Sequence, residues 1–186
     1  FIMIVTNRMR GLLAGVDERT LREKIAREPG KGLFEKLTAN FRETSAMMRE
    51  KGDRFVIGQC ACWYVTPQEM EAGFIHRMSG DGEALEYVHR MIDVLEREWI
   101  TDIKPYHKRA GGGNTNYFSQ AKVCLAADMC RESLDPRRFE TLLGMVRDFF
   151  INDDHFSDGT FGHWSGHNIG FTTQISSAIC ALVLGK

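Results

Sequence analysis

Thr66-Pro67-Gln68-Glu69-Met70-Glu71-Ala72-Gly73-Phe74-Ile75-His76-Arg77-Met78-Ser79-Gly80-Asp81-Gly82-Glu83-Ala84 is the stretch whose reading decides the fold. Thr66, Pro67 and Glu69 make a helix start, with Thr66 as N-cap, proline in the first turn and an acid close behind. The helix they open carries Met70, Phe74, Ile75 and Met78. Ser79-Gly80-Asp81-Gly82 is a turn. Glu83 to Ile100 is then a long amphipathic helix whose inner stripe is Ala84, Tyr87, Val88, Met91, Ile92, Leu95 and Trp99. Two helices joined by a four-residue turn form an antiparallel hairpin.

The same rhythm extends in both directions. Upstream, Asp17 is an N-cap for a helix over Glu18 to Arg27, which Pro29-Gly30 ends. Gly32 to Arg49 follows, with Leu33, Phe34, Leu37, Phe41, Ala46 and Met47 on roughly one face. Phe55 to Tyr64 is an apolar run that periodicity alone leaves open between buried helix and strand. Downstream, Thr101 to Asn116 is the longest irregular connection, and long connections inside a compact domain are often functional. Ser119 to Arg131 returns to helix with Ala121, Cys124, Leu125 and Met129 inward. Asp135-Pro136 starts another over Arg137 to Phe150, carrying Phe139, Leu142, Leu143, Val146 and Phe149. A second irregular stretch, Asn152 to Gly166, leads into a last helix within Phe171 to Leu184. About seven helices result, and no strand–helix alternation supports a parallel sheet. The expected fold is a single all-α domain of antiparallel hairpins, with the helix-pair rhythm of toroids and solenoids.

Composition fits that reading. The 186 residues suffice for one sizeable core, and 43% hydrophobic with 26% charged residues is ordinary for a globular domain. A net charge of -1 argues against a nucleic-acid partner. No apolar run approaches a membrane span. The five cysteines, Cys60, Cys62, Cys124, Cys130 and Cys180, contain no CxxC pair, and the last three sit in apolar helical patterns as buried thiols. Free thiols favour a reducing compartment only weakly. The chain starts without Met and stops just after an apolar helix, as a piece of a longer protein would.

Chemistry concentrates in Phe161-Gly162-His163-Trp164-Ser165-Gly166-His167-Asn168-Ile169-Gly170, where two imidazoles, an indole and a carboxamide precede the last helix. Glycines let backbone approach a ligand, and a helix fixes geometry. The plainer reading is a capped helix start with solvated histidines. Gly111-Gly112-Gly113 is no P-loop, since neither GK[ST] nor a preceding strand accompanies it. His155, His163 and His167 with Asp153, Asp154 and Asp158 have metal-ligand chemistry, but Gly162 and Gly166 disfavour the helix that an HxxxH pair needs, and no metal or other cofactor is expected. Trp63, Tyr64 and Trp99 read as core, and His76 and His89 as structural or surface residues within helices.

In order along the chain, several segments resemble the helical domain of the heparinase II/III-like polysaccharide lyases. Asp17 to Pro29, with Leu21-Arg22-Glu23-Lys24-Ile25, is similar to the family's Leu-Arg-x-Lys-hydrophobic opening. Met78 to Ala84 resembles its TGD-type hairpin turn. Ala127-Asp128-Met129-Cys130 through Leu134-Asp135-Pro136-Arg137-Arg138 resembles a later hairpin, and Trp164 to Leu184 its Trp, Asn/His and Ala/Leu-rich helix. The resemblance implies an incomplete α/α toroid around a groove, followed by β-sandwich modules. It implies a uronate-containing acidic polysaccharide as partner, and a periplasmic or secreted location. The family's later tyrosine, an acid or base, would lie beyond Lys186. A toroid cut before closure also exposes an apolar helix face that invites the rest of the chain or a second copy.

A uronate lyase removes the C5 proton, and neutralising the adjacent carboxylate stabilises the enolate-like intermediate. A base takes the proton, and an acid supports the departing C4 oxygen. The resemblance carries the neutraliser role to His167 and Asn168 jointly, one residue of register deciding between them. His163 is a further acid or base candidate. Trp164 has a face suited to sugar stacking, or is a hydrophobic staple under the last helix. Lys108, Arg109, Asn114 and Asn116 suit carboxylates or sulfates along a groove, or belong to a solvated loop. Tyr117 is a proton-donor candidate, or anchors its loop. A uronyl C5-epimerase would share the first step, and a non-catalytic carbohydrate-binding or scaffold module would keep only the groove.

Overall fold

The computed structural model describes residues 17–52, 68–98, 114–147, 178, 179 and 183. Among these, every regular element is helical. The helices are α1 (Glu18–Ile25), α2 (Gly30–Lys51), α3 (Glu69–Ser79), α4 (Gly82–Glu98), α5 (Asn114–Met129) and α6 (Pro136–Arg147). The all-α expectation holds. Phe55 to Tyr64 and Phe149 fall outside the described residues.

Local chemistry explains most boundaries. Asp17 caps α1, its carboxylate accepting from the Arg19 amide at 3.1 Å and the Thr20 hydroxyl at 2.7 Å. Ser79 ends α3, and Gly80 follows in the left-handed region at φ 73°, where a side chain would be strained. Asp81 then caps α4 by accepting from the Ala84 amide at 2.9 Å. Asp135 does the same for α6, accepting from the Arg137 amide at 2.8 Å. One expected cap is corrected. α3 begins at Glu69 after Gln68, two residues later than a Thr66 cap implies, and no side chain caps it.

The buried stripes follow helical spacing with two adjustments. In α2, Phe34 and Leu37 pack on the core, and Phe41 and Met48 are fully enclosed, but Leu33 is 67% exposed and Ala46 faces solvent. Thr44 and Ser45 take the inward positions instead. They are tolerated because each hydroxyl has a partner: Thr44 donates to the Asn40 carbonyl and Ser45 to Glu83 Oε1 at 2.7 Å. In α5 the enclosure is wider than one stripe. Val123, Cys124, Leu125, Ala126 and Ala127 are all buried, as expected of a helix at the centre of a core. The thiols of Cys124 and Cys130 are free and buried.

The centre of the fold is α3 against α5. A Cβ placed on Gly73 would lie 2.6 Å from Ala126 Cα and 2.9 Å from its carbonyl oxygen, so only hydrogen fits there. Along this seam, Glu69 lies near Lys122, Gly73 meets Ala126, and Arg77 donates to the Met129 carbonyl at 3.2 Å. The numbers rise together, so α3 and α5 run parallel, while α4 returns between them in sequence and packs on both. α2 crosses α3, pairing Phe34 with Phe74 edge to face at 6.1 Å. Phe41 meets Tyr87 of α4 at 5.4 Å. α6 closes on α4 through the Arg138–Asp93 ion pair at 2.7 Å. Ile179 and Val183, one helical turn apart, pack on the same core, and the Val183 carbonyl accepts from Arg131 at 3.4 Å.

Gly73→Ala should therefore destabilise the fold by about 1–3 kcal/mol, because the clash is with backbone that cannot rotate away. Gly144 of α6 is the control: nothing lies within 4 Å of its built Cβ, so Gly144→Ala should stabilise by about 0.5–1 kcal/mol. Urea denaturation of both variants checks this; equal midpoints would refute the close crossing.

Candidate functional site

The seam has two unlike ends. Where α3 and α5 finish, polar side chains join the turns. His76 bonds the Asp81 carbonyl through Nδ1 and the Ser133 hydroxyl through Nε2, both at 2.9 Å. Arg77 reaches from α3 to the Met129 carbonyl and to Glu18 Oε2 at 2.9 Å. Arg22 of α1 donates to the Arg77 and Met78 carbonyls, satisfying the open end of α3. Glu18, bonded by Arg22 and then by Arg77, is held below the ordinary glutamate range. On the flank, Glu83 accepts from Ser45, Arg42 and Arg49. Burial alone would raise its pKa, but these bonds and charges lower it.

Where α3 begins, the Glu69 carboxyl is buried without that support. Glu69, the first residue of α3, is 0% exposed, and neither carboxylate oxygen has a hydrogen-bond partner. Desolvation pushes its pKa up to about 8; the fields of its own backbone N–H and of Lys122 offset this only partly, and Glu71 adds to it. Lys122 is itself buried, within the apolar run of α5. At neutral pH Glu69 thus holds a proton. A protonated carboxyl can donate as well as accept, which suits a general acid.

Beside this seam, on its α2 side, lies a cavity of about 310 Å³ with apolar walls and two acids, Glu71 and Asp128. One Glu71 oxygen, Oε2, is shielded from water and has no partner. Asp128 is 11% exposed and pairs with Arg131 at 3.0 Å. Burial raises its pKa despite that bond.

The residues expected from sequence are distributed as follows. Asn114, Asn116 and Tyr117 occupy the opening turn of α5. The irregular connection was expected to run through Asn116, but the helix begins at Asn114. Short polar residues after Gly111-Gly112-Gly113 suit a first turn even though they are poor in helix interiors. Lys108, Arg109, His163, Trp164, His167 and Asn168 lie outside the described residues, as do His155 and the aspartates near it. Among the described residues no group of three His, Cys, Asp or Glu could hold a metal ion, and no helix is long and apolar enough to cross a membrane.

Glu69, Lys122 and Glu71 were not anticipated. A signal for the first two existed. Glu69 shares a face with Ala72 and Gly73 at spacings of three and four, and such a small-residue face marks close packing. Lys122 interrupts an apolar run, Ala121 to Ala127. His89, expected to be a structural or surface residue, has a buried unpaired Nε2, and burial followed by the Arg138 charge lowers its pKa.

The raised Glu69 pKa has a stability consequence. The folded state keeps the proton up to about pH 8, whereas a free glutamate loses it near 4.5. Its contribution is therefore fully present below the lower value and is lost as pH rises through the upper one, with a slope of up to about 1.4 kcal/mol per pH unit between them. Glu69→Gln should flatten that loss and be more stable than wild type at about pH 9. Urea midpoints at about pH 5, 7 and 9 would show it; parallel profiles for the two proteins would contradict it.

In comparison with known proteins, no family model, no curated protein and no solved structure matches the chain, so a functional reading rests on its own residues.

Proposed function

We propose that this chain is the helical portion of a polysaccharide lyase that cleaves uronate-containing acidic polysaccharides by β-elimination. The observation that carries the reading is the parallel packing of α3 and α5, with the antiparallel α4 connecting them. Alternate helices running in one sense are what an α/α toroid requires of its inner ring. They also point the starts of α3 and α5 the same way, α5 beginning about two turns beyond the level of Glu69 and Lys122, with Asn114, Asn116 and Tyr117 on its opening turn. Residues 99–113, carrying Lys108 and Arg109, lead directly into that turn. Helix starts carry partial positive charge, which favours an anionic sugar.

A last helix of the same sense would bring the segment His163 to Asn168 to that end. Docking of Ile179 and Val183 on the core supports such a helix. In this reading His167 or Asn168 donates to the uronate carboxylate, lowering the barrier to C5 proton loss. His163 takes or returns a proton, and Trp164 stacks on a sugar ring. Lys108 and Arg109 hold neighbouring acidic groups. The electrons left by the C5 proton form the C4–C5 double bond as the C4–O bond breaks. An epimerase would return the proton to C5 instead.

The double bond makes the test direct. Incubated with alginate, heparan and chondroitin, the full-length protein should release an unsaturated product that absorbs in the ultraviolet. His167→Ala or Asn168→Ala should reduce turnover by about a hundredfold or more without loss of helical circular dichroism. No absorbing product on any of these polymers would sink the lyase reading. Unchanged turnover in both variants would move the site elsewhere.

A further inference from the structure

We propose that Ser133 is an activated nucleophile with His76 as its general base, and that the pair accepts an acyl group from a small activated ester. The inference is independent of the lyase reading. It starts from where the hydrogens must lie. The Asp81 carbonyl oxygen can only accept, so His76 Nδ1, 2.9 Å away, carries the ring hydrogen. In the neutral imidazole Nε2 is then the acceptor, and the Ser133 hydroxyl, also at 2.9 Å, is its donor. A serine, an imidazole within hydrogen-bond reach and a third group that fixes the ring tautomer are the parts of an activated nucleophile. A backbone carbonyl takes the third place here.

Both members are positioned by ordered structure. His76 follows the fully buried Ile75 in the last turn of α3. Ser133 is held by its own amide, which donates to the Cys130 carbonyl at 2.8 Å, and by the buried Leu134 beside it. Ser133 itself is exposed, so a reagent can reach it. Its bond to His76 uses the hydroxyl hydrogen and leaves the oxygen lone pairs for a carbon. Taking the proton makes His76 a cation at the end of α3, where the helix dipole favours positive charge. The pair joins two turns at the surface, so the ester must bring its own good leaving group and a short acyl chain.

In the first step Ser133 Oγ bonds to the ester carbonyl carbon, and its proton passes to His76 Nε2. The bond from that carbon to the phenolic oxygen breaks, and the phenolate leaves with the electron pair. The imidazolium gives its proton to solvent. Water, deprotonated by the same Nε2, then attacks the acyl carbon, and the proton returns to Ser133 Oγ as the acid is released.

Ser79 is the internal control. It is also exposed, but its hydroxyl donates to the Ile75 carbonyl at 2.7 Å, which is no base. In the full chain treated with p-nitrophenyl acetate and quenched early in acid, peptide mass spectrometry should find acetyl on Ser133 at least about tenfold above Ser79. His76→Gln, checked for helical circular dichroism, should slow acetylation of Ser133 by about a hundredfold and leave Ser79 unchanged. Equal acetylation of the two serines would overturn the proposal, as would a Ser133 rate that His76→Gln does not lower. Should that variant fail to fold, wild type in heavy water decides the role of the base. Acetylation of Ser133 should slow there, because a proton moves with the attack, and an unchanged rate would overturn it.

Discussion

Backbone contact between Gly73 and Ala126 is the constraint on which the rest of this structure depends. With no side chain at Gly73, α3 approaches α5 closely enough that a single Cβ would sit 2.6 Å from the opposing Cα. A crossing this tight fixes register. Once Gly73 faces Ala126, Glu69 must fall beside Lys122, and Arg77 beside Met129. It also explains why the neighbours on both helices are small. Ala72, Ala126 and Ala127 are fully buried, and larger residues would hold the helices apart. Larger apolar side chains surround the seam: Phe41, Ile75, Met91, Ile92 and Leu142 are enclosed where more room is left.

Polar groups are then distributed unequally along that seam. At the turn end, Arg22, Arg77 and Arg131 each have a defined acceptor, and His76 links the α3–α4 turn to Ser133 of the α5–α6 turn. Exposed ion pairs are worth little singly. Here they share partners, with Arg77 and Arg22 both on Glu18 and Arg42 and Arg49 both on Glu83, so they act as clamps on the positions of α1 and α2. At the other end the carboxyl of Glu69 has no hydrogen bond at all. Stability alone would have selected an apolar residue or a paired one there.

Hairpins, caps and most stripes were legible from the amino-acid sequence because they rest on local chemistry. Asp17 and Asp135 each announce a helix start, and the α4 stripe from Ala84 to Ile92 is buried position for position. Thr66 misled because a cap motif describes competence, not use. The α2 stripe drifted to Thr44 and Ser45 because their hydroxyls have partners, one of them Glu83, nearly forty residues away in sequence. No periodicity reports such a partner. Glu69 and Glu71 were passed over for the same reason. A glutamate in a first turn is ordinarily a solvated dipole partner, and only the tertiary placement of α5 and α2 removes water from these two. For the histidine- and asparagine-bearing segment the sequence remains the ground of argument, since His163 to Asn168 lie outside the described residues.

The inequality between the two ends bears on where function resides. A chain selected only to fold would satisfy its buried polar groups throughout, as this one does around His76 and Arg77. Unsatisfied ones remain at Glu69 and Glu71 on α3 and at His89 Nε2 on α4. Glu69 lies beside Lys122, midway along α5, the helix into which the long glycine-bearing connection leads. Local destabilisation of that kind persists where something else is gained from it, such as a proton held at neutral pH. The tight seam makes this tolerable. Gly73 and Ala126 lock the helices one turn from Glu69, so the unpaired carboxyl cannot relax toward water without breaking the contact that sets the register of the whole bundle.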